Sequence, residues 1–227
     1  MLVSSILPTR NRRRFVAQAV RCFERQRYPD RELIVVDDGE DQVEDLCTGR
    51  ERIRYIHLGR PTPLGTKLNL GVERAAGEIL HKMDDDDYYH LDFLTTAVLR
   101  ADAARDRIVA WDCFLVWIAG EAAPRYSGHG WAAGGTLCFF RPVWQRAPFR
   151  DLPRRVDRWF LIDHQYQVEP VCAPELYLLV RHGANTWTRM DDDDADERLR
   201  QLPRYSKPLE QVIEPADAAF YRALPHF

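Results

Sequence analysis

Four consecutive carboxylates, Asp84 to Asp87, end the apolar stretch EILHKM and run straight into YYHLDFL. Like charges side by side repel one another, and charge at the end of a buried strand is costly unless a cation neutralises it. A divalent ion is the simplest partner. Hard oxygen ligands select Mg2+, Mn2+ or Ca2+ over zinc, and Mg2+ usually reaches a protein through one or two carboxylates together with substrate phosphates. The cluster therefore predicts metal-assisted chemistry on a phosphate-bearing substrate. In an extended run, residues two apart face the same way about 6.6 Å apart, which pairs Asp84 with Asp86 and Asp85 with Asp87 and turns one pair toward the ligand. Capping the helix that follows needs one carboxylate, not four. A second acidic run, Asp191 to Asp194, has no apolar strand before it and reads as solvated.

The elements that must position the tetrad alternate between strand and helix. LVSSIL reads as a first strand, Asn11 to Gln26 as a helix carrying Phe15, Ala19, Val20 and Phe23, and ELIVVDD as a second strand. RIRYIHL alternates at period two, Gly65 to Ala76 is helical, EILHKM is the next strand and Asp92 to Ala104 another helix. Such βαβ connections predict an α/β fold with a parallel, doubly wound sheet, whose ligands bind beyond the carboxyl ends of the strands. PTRN, the Asp37-Asp38 pair and the tetrad all fall at such ends, so the three converge on one ligand. Further on, RIVAWDCFLVWIAG reads as a long strand or hairpin arm, and GWAAGGTLCFFRPVW uses glycines as turns before another apolar run.

A length of 227 residues with 45% hydrophobic content suits one domain with a sizeable core. The net charge of -3, from 32 basic and 35 acidic residues, gives no global attraction to nucleic acid or an anionic membrane. The cysteines, Cys22, Cys47, Cys113, Cys138 and Cys172, are scattered with no CxxC and read as reduced core thiols. At the start, LVSSIL precedes the basic residues with no cleavage-like segment after them, which is neither a signal peptide nor a membrane span. A cytoplasmic location is the default expectation.

Taken in order and spacing, SSILPTRNR, ELIVVDDG, GTKLNLGVERAAGEI and KMDDDDYYHLDFL resemble the nucleotide-sugar-binding half of glycosyltransferase family 2. The resemblance implies the GT-A fold, with residues 1–104 as the donor half, 105–190 as the acceptor side and 191–227 as a polar loop or tail. It also implies inverting transfer of a sugar from a UDP-, GDP- or dTDP-linked donor to a glycan or other hydroxyl acceptor, with Mn2+ or Mg2+.

By similarity to the DxD motif of that family, Asp86 coordinates the metal, Asp84 meets the ribose or a metal-bound water, and Asp85 and Asp87 support them. Pro8, Thr9, Arg10 and Asn11 resemble the base-binding loop, with helix N-capping by Thr9 or Asn11 as the alternative. Asp38 resembles the acid that hydrogen-bonds base or ribose, although DDG is also ordinary turn chemistry. Lys67 and Asn69 fall near the donor diphosphate, and Leu68 stands where the family often has arginine. Asp157 in RVDRWF resembles the acid of the ED motif and is the candidate base, with Val156 in place of the usual glutamate and Asp163 as substitute; a salt bridge with Arg154, Arg155 or Arg158 is its structural alternative. His182 resembles a late histidine that ligates the metal or touches phosphate. Two rival readings remain. A sugar-phosphate nucleotidyltransferase calls for a glycine-rich loop after the first strand, which LPTRNRRR lacks. A non-catalytic nucleotide-sugar or metal-binding module would keep the tetrad without a base.

Overall fold

The apolar runs form strands in a computed structural model of the chain, which describes residues 1–185 and 195–225. In chain order they are β1 (Val3–Thr9), β2 (Arg31–Asp37), β3 (Ile53–His57), β4 (Ile79–Lys82), β5 (Tyr88–Tyr89), β6 (Ile108–Cys113), β7 (Leu115–Ile118), β8 (Arg125–Tyr126), β9 (Cys138–Phe140), β10 (Val168–Cys172) and β11 (Tyr177–Arg181). A 7-stranded sheet has the order β10-β6-β9-β4-β1-β2-β3, and a 4-stranded sheet the order β5-β11-β7-β8. β1 lies between β4 and β2, parallel to both. Only β9, between β4 and β6, runs antiparallel in the larger sheet, which is mostly parallel as the sequence predicts.

Alternation along the central strands feeds two cores. Leu33 and Val35 of β2 join one with Phe15, Val16, Ala19 and Phe23 of α1 (Arg13–Glu24). Ile34 and Val36 turn to the other face, against Leu68 and Val72 of α3 (Leu64–Arg74). Between these helices α2 (Glu44–Cys47) is a single turn, and α4 (Phe93–Ala103) follows β5. The second half of the chain adds α5 (Arg141–Arg146) and α6 (Val156–Asp163). Among the described residues no helix is long and apolar enough to cross a membrane.

Three expectations are corrected. The run RIVAWDCFLVWIAG is not one arm: it breaks after Cys113, and β6 stays in the large sheet while β7 crosses into the small one. Nor are all the cysteines reduced. Cys113 and Cys172 are 59 residues apart in sequence but face each other across β6 and β10 and form a disulfide, while Cys22, Cys47 and Cys138 are free and buried.

Residues 195–225, expected as a polar loop or tail, form α7 (Ala195–Gln201), α8 (Leu209–Val212) and α9 (Pro215–Arg222). These helices are short and each buries few side chains, so no periodicity stands out. Yet Leu209, Ala218, Tyr221 and Leu224 enter the α1 core. The buried Asp217 carboxylate accepts from Gln18 at 2.7 Å and pairs with Arg25, fastening α9 to α1. The acidic run Asp191 to Asp194 lies outside the described residues.

Candidate active site

The carboxyl ends of β1, β2 and β4 open into a cleft of about 680 Å³, a size that suits a nucleotide-sized ligand. Pro8, Thr9 and Arg10 from the end of β1, Asp38 after β2 and Lys67 on α3 form one part of its wall, and the tetrad forms another. Lys67 Nζ donates to Asp38 Oδ1 at 2.8 Å and to the Thr9 carbonyl at 3.1 Å, and the other Asp38 oxygen accepts the Thr62 amide at 2.7 Å. The three strand ends expected to converge therefore do so through direct contacts.

The tetrad is bent rather than extended, and each carboxylate goes to a different partner instead of forming two parallel pairs. Asp84 Oδ1 accepts from the buried Lys82 Nζ at 2.6 Å. Asp85 Oδ2 accepts the Thr9 hydroxyl at 2.8 Å. Asp86 Oδ2 takes the Arg12 guanidinium, the His182 ring at 3.2 Å and the Asn185 amide at 3.0 Å. Asp87 turns into the small sheet, where it accepts the Val180 amide at 2.9 Å and the Tyr177 hydroxyl. Directly after the bend, β5 pairs with β11. That pairing brings His182, which follows β11, to a carboxylate 96 residues earlier in the chain.

Burial and these partners give the acids unequal charge. Burial pushes Asp85 up to about 7 against the pull of Arg12. Asp87 is raised well above the usual carboxylate range, by burial first and then by Asp86 and Asp84. Asp84 is raised by burial despite Lys82. Burial also opposes ionisation of Asp86, but Arg12 and His182 outweigh it and hold this carboxyl below the usual range. Asp86 is thus the dependable anion of the group.

Sequence reasoning missed Arg12. Its Nη2 bonds Asp86, its Nε lies 3.3 Å from Asp85 Oδ1, and its guanidinium carbon is 4.6 Å from the centre of the Phe15 ring. The His182 ring stacks on the same Phe15, with centroids 4.6 Å apart. One signal was present in the sequence: RNRRR at a helix start sets cations against the positive end of the helix dipole, an arrangement that calls for acids nearby. Asn185 was missed too.

These donors fit a divalent ion in chemistry, since Asp84, Asp85 and Asp86 line the cleft with hard oxygens. Arg12 now supplies the neutralising charge, and its buried Nε lacks a hydrogen-bond partner, so the guanidinium fills the place imperfectly. His182 fits less well as a ligand. The Ala184 amide donates to Nδ1 at 3.1 Å, which keeps the proton of the neutral ring on Nε2, aimed at Asp86.

Asp157, near the start of α6, lies in the same cleft as Lys82 and Asp84. Among the described residues its carboxylate makes no ion pair, and the expected alternative of a salt bridge to Arg154, Arg155 or Arg158 does not form; its charge adds to the pull of Asp84 on Lys82. The residue before the helix, Arg155, holds φ at 58°, a left-handed conformation that a non-glycine residue rarely adopts. Two adjacent glycines face the acids. A Cβ on Gly134 would sit 1.9 Å from Asp157 Oδ2, and one on Gly135 would sit 2.9 Å from Asp84 Oδ2 and 3.0 Å from Asp87 Oδ2.

Three candidates lie elsewhere. Asn11, at φ 52°, accepts the Glu40 and Asp41 amides with its side chain and ties down the loop after β2. The Asn69 amide bridges Phe149 and the Trp144 indole. Asp163 is held by Arg150 through two hydrogen bonds, of 2.6 and 2.8 Å. None of the three lines the cleft.

Comparison with known proteins shows the family and the fold. The model described as glycosyl transferase family 2 matches residues 4–147. A GalNAc(5)-diNAcBac-PP-undecaprenol beta-1,3-glucosyltransferase of Campylobacter jejuni is 30% identical over 135 residues, covering 56% of this chain and 43% of that protein. An uncharacterized glycosyltransferase of Rickettsia felis is 32% identical over 94 residues, covering 40% of this chain and 15% of that protein. The chain thus spans less than half the length of either relative. S. aureus TarS 1–349 in complex with UDP-GlcNAc superposes with a TM-score of 0.66 at 17% identity, over 82% of this chain and 60% of that one. The mannosyltransferase PcManGT of Pyrobaculum calidifontis, in complex with GDP-Man and Mn2+, gives 0.63 at 17% identity, over 79% and 56%. The fold is the GT-A fold expected from the sequence.

Proposed function

Because the chain belongs to glycosyltransferase family 2, we propose that its cleft transfers a sugar from a nucleotide-diphosphate donor to an acceptor hydroxyl with inversion, in the cytoplasm. The observation that carries this reading is the Asp157 carboxylate, which makes no ion pair among the described residues, in one cleft with the Lys82–Asp84 pair and the Arg12–Asp86 pair. UDP-, GDP- and dTDP-sugars are the donor candidates, and the complexes of TarS with UDP-GlcNAc and of PcManGT with GDP-Man put the first two foremost. The acceptor is a glycan or another hydroxyl compound.

In this reading Pro8, Thr9, Arg10, Asp38 and Lys67 hold the nucleoside end, because they form the wall at the ends of β1 and β2. Asp86, with Asp84, would hold Mn2+ or Mg2+, and His182 steers Asp86 through its Nε2 proton. When bound, the ion neutralises the departing diphosphate. Asp157 accepts the proton of the acceptor hydroxyl as that oxygen attacks the anomeric carbon opposite the leaving group. The bond from that carbon to the diphosphate oxygen breaks, and the configuration inverts. Calorimetry with UDP, GDP and dTDP, each with Mn2+ or EDTA, tests the donor site. At least one is expected to bind tightly only with the ion, since the acidic cluster otherwise repels a diphosphate. Equal affinity in Mn2+ and EDTA would defeat the metal-bridged reading.

A further inference from the structure

A second group of metal-binding side chains lies outside the residues lining the cleft. β6 and β10 end side by side, and a bulge at Val171/Cys172 sets Cys172 opposite Cys113. His129 comes in from the loop after β8. The two sulfurs and one His129 ring nitrogen lie within 4.8 Å of one another. Asp112, the β6 residue before Cys113, places Oδ2 3.5 Å from His129 Nδ1. The His129 side chain is 64% exposed and Cys172 is exposed, so solutes reach the group from solvent. Two soft sulfurs and an imidazole are a zinc donor set, quite unlike the hard oxygens of the tetrad.

We infer that, once the Cys113–Cys172 bond is reduced, the chain binds Zn2+ through the two thiolates and the His129 imidazole. A dithiol gives two electrons and two protons to the disulfide, becoming a disulfide itself, and leaves two thiols. The ion then displaces both thiol protons to solvent. Tetrahedral zinc with sulfurs at about 2.3 Å separates them by roughly 3.8 Å, within reach of two residues whose Cα atoms are 4.8 Å apart. Asp112 adds negative charge beside the imidazole. A disulfide here is out of keeping with a reducing compartment, whereas the dithiol and the ion suit one.

The two states also tie down different parts of the molecule. The disulfide joins only β6 to β10. The ion joins both strands to the 127–133 loop, and Trp131 of that loop lines the cleft. Metal loading therefore couples the thiol state to the acceptor side.

Co2+ is the probe. The full chain is reduced with dithiothreitol, desalted under argon and titrated, alongside unreduced protein and the His129→Ala and Cys172→Ser variants. The reduced wild type is expected to bind one equivalent with a sulfur-to-cobalt charge-transfer band and intense tetrahedral ligand-field bands, all abolished by added Zn2+. Unreduced protein and Cys172→Ser should show neither band. His129→Ala, an exposed change that leaves both cysteines able to pair, should lose affinity by roughly tenfold or more. Carboxylate binding at the tetrad gives no sulfur band, so it cannot mimic the result. Absence of the band in reduced wild type, or equal affinity in His129→Ala, overturns the inference.

Discussion

Asp38 meets Lys67, Asp84 meets Lys82, and Asp86 meets Arg12 on the wall built by β1, β2 and β4. Asp157, on α6, lies instead so close to Gly134 that a Cβ there would clash with its Oδ2. On the first wall removing one partner leaves a buried charge behind, so these groups are suited to holding a ligand in a fixed place. On the second the Asp157 carboxylate makes no ion pair among the described residues, as the proposed proton acceptor requires before its substrate arrives, and its charge acts on Lys82 only at longer range. In the proposed reading, binding and chemistry are thereby divided between two parts of the chain.

The sharpest way to break that division is Asp157→Asn, which keeps size and much of the hydrogen bonding but cannot take a proton. Turnover should fall by about 10²–10⁴-fold while diphosphate affinity survives. Donor consumption and calorimetry on one preparation read both, and loss of affinity together with turnover would erase the distinction between the walls.

Next in size is Asp86→Ala. Without this anion the gain in nucleoside diphosphate affinity on adding Mn2+, expected to be tenfold or more, should disappear. Titrations with and without EDTA measure it, and a variant that keeps the full metal effect would move the ligand to Asp84.

Arg12→Ala sharpens the comparison from the other side, since it removes the resident cation from Asp85 and Asp86. We expect the variant to depend on the divalent ion for stability, so that Mn2+ raises its melting temperature by more than it raises that of wild type. An equal rise in both would mean that Arg12 does not balance the acids.

The smallest effect is expected from Asp163→Ala, which breaks only the exposed pair with Arg150. Turnover should stay within about twofold of wild type. A large loss would shift the base from Asp157 to Asp163.

The first hundred residues were legible because their strands are apolar runs with breakers at their ends, and the boundaries of α1, α3 and α4 fell within two residues of those expected. The charges that organise the site were harder to see. Arg12 sits in a basic run that looks solvated, and only its position at a helix start hints at a buried acidic partner. The separate destinations of the four aspartates depend on β5 pairing with β11, a contact spanning some ninety residues that no local pattern encodes. The break after Cys113 lies inside a continuous apolar run, because both halves are buried in different sheets. The acid that fastens α9, Asp217, looks like any surface aspartate until Gln18 and Arg25 are placed around it.

The neighbouring glycines have a consequence for redesign. Gly134 leaves room for the acid proposed to take the proton, and Gly135 leaves room for the two acids at either end of the tetrad. Consecutive Cα atoms are about 3.8 Å apart, so a single peptide unit serves as the ruler between the proposed acceptor and donor sides. An engineer seeking to admit a bulkier sugar cannot widen one side here without disturbing the other. Variation in substrate has to be sought earlier in the same loop, at Trp131, where a change in side-chain volume alters the cleft.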